Sequence, residues 1–100
     1  MIIRVKLSKP FSESFVKVVV DVERRILAAG CELHIDCADE LVEDGSAARD
    51  LWGANVYPEK GVIQFVSLIN IRPRDGNRSM EIQLPDIHAK VEEIIRALIP

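Results

Sequence analysis

The chain has 100 residues, 48% of them apolar and 29% charged, with a formal charge of −3. That length makes one domain, residues 1–100, able to bury a core without covalent staples. The acidic balance argues against nucleic acid as a partner, because such binding needs a basic face to displace counterions. No apolar run approaches the roughly 18–20 residues that span a bilayer.

IIRVKL (2–7) is β-branched and loosely alternating, which predicts a strand. The opening MIIRVKLSKP lacks the apolar stretch of a signal peptide, and two cysteines are too few for a secreted disulfide framework. A soluble, cytoplasmic protein is the expectation. KVVVDV could lie in a helical stripe running from Ser12 to Gly30, but β-branched side chains lose χ1 freedom in a helix and pack well on a pleated sheet. We read a hairpin instead, with strands near 16–22 and 26–35 and a turn at Glu23-Arg24-Arg25, although no glycine or asparagine marks that turn.

ADELVED carries early acidic residues and ends near Gly45, predicting a short helix over 37–44. LWGANVY predicts a strand over 51–57, PEKG is turn chemistry, and GVIQFVSLINI predicts a strand over 62–71. Pairing Tyr57 with Val62 sets Asn55 opposite Gln64. LPDIHAKVEEIIRALIP predicts a helix over 85–98, with Pro85 suited to its first position and Ile87, Val91, Ile94, Ile95 and Leu98 as its buried stripe. The fold class expected is α+β: a mostly antiparallel sheet of four to five strands with helices on one face.

CELHIDC (31–37) concentrates two cysteines, a histidine and two carboxylates. As a strand it splits, with Glu32 and His34 on one side and Cys31, Leu33 and Ile35 on the other. Cys31 and Cys37 would then lie roughly 20 Å apart, too far for a disulfide, and each reads as a small buried hydrophobe. Asp36 reads as a helix cap. The functional alternative places Glu32, His34 and Asp36 together, with His34 as acid–base group or metal ligand and the carboxylates assisting. The bland alternative is a solvated polar face of a half-covered sheet.

IRPRDGNRS (71–79) is the second candidate site. Arg72, Arg74 and Arg78 could recognise a carboxylate or phosphate, and Gly76 and Asn77 could adopt backbone angles that let amides converge on an anion. A surface loop whose arginines pair with acidic neighbours is the structural alternative. No Walker or Rossmann glycine pattern occurs, so no cofactor is expected. Ser67 and Ser79 lie outside any GxSxG elbow, and Trp52 reads as core or subunit interface.

VVVDVERRILAAGCELHID (18–36), DLWGANVYP (50–58) and SLINIRPRDGNRS (67–79) resemble a family of small bacterial and archaeal proteins described only as a domain of unknown function. The resemblance implies a compact single domain and the hairpin reading, and it implies no activity. Arg25 stands where that family usually has a turn glycine, and Cys31 follows Gly30 where a second glycine is usual. The segment before residue 16 is shorter than in that family. The leading expectation is a binding module that contacts a small anion or acidic partner through Arg72, Arg74, Asn77 and Arg78, with homodimerisation through exposed apolar faces. The alternative is a small hydrolase or metal-dependent enzyme built on His34, Glu32 and Asp36. A weaker third reading is an RNA-associated factor that touches phosphate through the arginine loop.

Overall fold

The computed structural model describes residues 1–100. Five strands form one antiparallel sheet: β1 (Ile2–Ile3), β2 (Val16–Asp21), β3 (Ile26–Ala29), β4 (Leu51–Tyr57) and β5 (Val62–Gln64), in the order β1-β3-β2-β4-β5. Two helices complete the fold, α1 (His34–Glu43) and α2 (Pro85–Leu98). The α+β reading therefore holds.

The helices do not share a face of the sheet, as the sequence reading had them. Val18, Val20, Leu27, Trp52 and Val56 pack with Val91, Ile94, Ile95 and Leu98 of α2. Val19, Ile26, Ala28 and Leu51 pack with Cys37, Ala38 and Leu41 of α1 on the other side. β2 is thus covered on both faces, which explains why VVV shows no apolar–polar alternation. Each large apolar side chain buried this way contributes roughly 1.5–3 kcal/mol.

The β2–β3 hairpin forms without a glycine because Asp21 supplies the turn chemistry. Its buried Oδ1 accepts the amides of Glu23 and Arg24, both at 2.9 Å, and Arg25 takes the left-handed conformation with φ 57°. The register pairs Asp21 with Ile26.

β4 and β5 pair in the expected register, Tyr57 with Val62 and Asn55 with Gln64, and Gly61 takes the left-handed turn position with φ 64°. β5 stops at Gln64, however, and the strand expected to run to 71 is broken. Ser67 Oγ accepts the amide of Ile69, starting a 3₁₀ turn at Leu68–Asn70. That turn delivers the Asn70 side chain to the edge of β4. Its Oδ1 accepts the Gly53 amide at 2.8 Å, and its Nδ2 donates to the carbonyls of Gly53 and Met80 at 3.0 Å each. One buried amide replaces a strand neighbour where β5 has ended.

Candidate functional site

The reading of residues 31–35 as a strand fails. β3 ends at Ala29, Gly30 turns the chain at φ 86°, and α1 begins at His34. The turn after Gly30 and the start of α1 fold the segment back, bringing the Cα atoms of Cys31 and Cys37 to 5.7 Å, and the two sulfurs form a disulfide. Cys37 is fully buried while Cys31 is only half-buried. The N-cap position is held by Leu33, which makes no side-chain bond, so Asp36 is not the cap; it lies in the first turn, where its charge suits the positive end of the helix.

Glu32, His34 and Asp36 therefore do not share a strand face. Glu32 and Asp36 are exposed, and no three His, Cys, Asp or Glu side chains gather as metal ligands. The metal-dependent reading loses the geometry it needed.

His34 alone turns inward. Its Nε2 donates to the Ala54 carbonyl at 2.8 Å, since a carbonyl only accepts, which leaves Nδ1 with the lone pair in the neutral ring. Burial pushes the imidazole below its ordinary pKa, and the Lys17 ammonium acts in the same direction; the Ala54 carbonyl and Asn55 pull the other way. The ring is consequently neutral at pH 7.

β4 is shaped to receive it. A Cβ on Gly53 would lie 2.5 Å from Ser67 Cβ, 2.6 Å from Ser67 Oγ and 3.3 Å from His34 Cδ2. Only glycine lets the helix start and the 67–70 turn close on the strand here. Two residues along, Asn55 shares that face of β4 and is the direct cross-strand partner of Lys17. Asn55 Nδ2 donates to Gln64 Oε1 at 3.1 Å and to the Val66 carbonyl at 3.5 Å. Its Oδ1 is buried without a hydrogen-bond partner. It lies near enough to His34 to favour the protonated ring, but the geometry falls short of a hydrogen bond.

These groups floor a cleft of about 350 Å³. Its walls are apolar: Leu33 and Ile35 from the start of α1, Leu68 from the 3₁₀ turn, and Met80. Leu33 is 57% exposed and Leu68 72%, so the rim offers apolar surface to solvent. Lys17 stands at the edge with Nζ donating to the Glu32 carbonyl at 2.7 Å. His34 has no carboxylate to orient it, and Ser67 Oγ is occupied by the Ile69 amide. The cleft presents an unpaired acceptor, a cation held only by a backbone carbonyl, and apolar walls.

The arginine loop is built differently from the expectation. Arg72 turns inward and donates to the carbonyls of Leu51, Arg49 (3.0 Å) and Ala48 (3.4 Å), with its guanidinium 3.7 Å from the centroid of the buried Trp52 ring. Burial pushes its pKa down. Asn77 is fully buried; its Nδ2 donates to the carbonyls of Asn70 (2.8 Å), Glu81 (2.9 Å) and Ser79 (3.0 Å), and its Oδ1 accepts the Gln83 amide. Gly76 takes positive φ and Asn77 does not. Arg74 and Arg78 are exposed and form no ion pair. Arg72 lines a hollow of about 220 Å³ that shares Ile35 and Ile69 with the His34 cleft, whereas Arg74, Asn77 and Arg78 line neither.

Of the cleft's polar groups, the sequence reading singled out only His34 for function. Lys17 and Ser67 stand in no sequence motif, and only the cross-strand pairing with Gln64 marks Asn55. The available signal was the glycine inside LWGANVY, since a glycine within a strand marks close approach of another segment.

The fold and the site together define a small α+β domain carrying one mixed polar–apolar cleft between a helix start and a sheet edge. The chain belongs to the family described as "Protein of unknown function (DUF5674)", whose model matches residues 3–98. No curated protein matches the chain significantly, and no solved structure does. No helix is long and apolar enough to cross a membrane.

Proposed function

We propose that the protein is a binding module whose ligand occupies the cleft beside His34. The ligand is a small molecule with an apolar body, a hydrogen-bond donor for Asn55 Oδ1 and an anionic group for Lys17. The observation that carries this reading is the buried acceptor on Asn55 that nothing in the chain satisfies. An orphaned buried acceptor costs about 1–3 kcal/mol, which a ligand donor recovers on binding once the Asn55 side chain turns its oxygen towards the cleft. The cleft volume, about 350 Å³, falls in the range of small-molecule sites. Lys17 is tied only to a loop carbonyl, and its cross-strand position beside Asn55 brings donor and anion subsites within one small molecule's reach. The anionic ligand expected for the arginine loop is thus reassigned to Lys17, because Arg72 and Asn77 are engaged inside the fold.

The test is an NMR amide titration with indole-3-propionate, which combines an apolar bicycle, one N–H and one carboxylate. Expected shifts centre on Lys17, Leu33–Ile35, Asn55 and Ser67–Ile69. Lys17→Ala and Asn55→Leu each weaken binding about tenfold, while Arg74→Ala and Arg78→Ala leave it unchanged. Shifts centred on Arg74 and Arg78, or none at saturating ligand, would overturn the reading. Light scattering that shows a dimer, with the Leu33–Leu68 rim protected in it, would make a second copy of the chain the occupant and also overturn it.

A further inference from the structure

The two cysteines enclose the five residues 32–36, and three of these, Leu33, His34 and Ile35, line the proposed ligand cleft. The disulfide therefore closes one wall of the cleft into a covalent ring. Apart from the disulfide, two side-chain bonds link that wall to the sheet, from Lys17 to the Glu32 carbonyl and from His34 to the Ala54 carbonyl. α1 starts at His34 behind a Leu33 that caps nothing, and the early amide of Asp36 bonds back to the Leu33 carbonyl at 3.1 Å. His34 is tied to the sheet through a single bond to Ala54.

The two sulfurs differ in access. Cys37 is fully buried among Val19, Ala38 and Leu41. Cys31 is half-buried and lines an open hollow of about 410 Å³ with Phe11, Phe15 and Gly30. Cys31 is thus the more accessible of the two to an attacking thiolate.

We infer that Cys31–Cys37 is a reversible thiol–disulfide site, reduced by a dithiol-bearing partner, that sets the order of the ligand-cleft wall; the ligand consequence rests on the binding function proposed above. One thiolate of the dithiol attacks Cys31 Sγ, the Cys31–Cys37 bond breaks, and Cys37 leaves as a thiolate. It takes up a proton, because apolar burial favours the neutral thiol. The second thiolate of the partner then attacks its own sulfur in the mixed disulfide and releases Cys31, which is protonated in turn. The chain gains two electrons and two protons, and the dithiol becomes a disulfide. Cys37 stays anchored by the helix and core, while 31–36 regains the freedom that the ring had removed. In the cytosol, the compartment expected from the sequence, such dithiols are abundant and disulfides are transient.

The test compares the oxidised protein with the protein reduced by dithiothreitol. Alkylation and mass measurement are expected to count no free thiols before reduction and two after. Hydrogen exchange of residues 31–37 is expected to accelerate at least about tenfold on reduction, with β2, β4 and α2 unchanged. Cys31→Ser should show the fast exchange without reductant and no response to it. Indole-3-propionate should bind the reduced form about tenfold more weakly. Two free thiols after equilibration with oxidised glutathione, unchanged exchange over 31–37, or acceleration across the whole chain would each overturn the inference, the last by making the disulfide a global staple. Local acceleration with no ligand binding in either form would uphold the redox site and refute the cleft reading alone.

Discussion

Asn70→Ala tests whether one side-chain amide takes the place of a sheet neighbour. Asn70 is fully buried, and truncation strips the partners from the Gly53 amide and carbonyl, while the Met80 carbonyl loses one donor and keeps the Ser67 amide at 3.0 Å. Both Gly53 groups face a closed edge, whereas Met80 is exposed and its carbonyl can recover water. Two orphaned buried groups at about 1–3 kcal/mol each, and one modest bond, give a loss of about 4 kcal/mol. That is a large share of the roughly 5–15 kcal/mol that holds a domain folded, and it lowers the melting temperature by at least about 15 °C. Urea unfolding followed by Trp52 fluorescence measures it directly. Asn70→Asp sharpens the argument: a carboxylate still accepts from Gly53 but sets oxygen against the Gly53 and Met80 carbonyls. Burial there raises its folded-state pKa, so its deficit relative to wild type should shrink as pH falls. A loss below about 1 kcal/mol for Asn70→Ala, or an Asp variant matching wild type at pH 7, would refute the reasoning.

Gly53→Ala should cost about 3 kcal/mol by driving the 67–70 turn off β4, and Ser67→Gly in the same chain should recover part of that; an equally unstable double variant would dissociate the glycine from the close approach. Arg25→Gly should stabilise by about 0.5–1 kcal/mol, because it relieves a left-handed arginine and loses only an exposed pair with Glu93; a lowered urea midpoint would contradict this. The His34 ring should titrate below its ordinary value near 6.5 by NMR. Since the unfolded chain takes up that proton first, the stability from neutral His34 is present above about pH 6.5 and is lost as pH falls towards the folded value. His34→Gln should therefore lose less stability than wild type between pH 7 and 5, and identical slopes would contradict the assignment.

The β4–β5 hairpin and α2 were legible because local chemistry specified them. PEKG set the turn, the register followed from side-chain alternation, and Pro85 with a 3.6-residue apolar period marked the last helix at its observed bounds. β2 was legible from its β-branched run, but that run hid which face each helix covers, since both are buried. The 31–37 stretch misleads because an extended chain would hold its cysteines far apart; a glycine turn and a helical start shorten that distance. The 62–71 strand was overextended because Ser67 and Asn70 act through tertiary bonds that no local pattern records. The same holds for the cleft: His34 could be picked out by residue type, whereas its neighbours Asn55, Gly53 and Ser67 meet it only once β4 is packed.

A structure of the protein crystallised with saturating indole-3-propionate tests the central claim most directly. The expected result is the indole N–H within hydrogen-bonding distance of Asn55 Oδ1, the carboxylate at Lys17 and the ring between Leu33 and Leu68. An empty cleft with Asn55 Oδ1 still unpaired, or the molecule held instead by Arg74 and Arg78, would contradict the account.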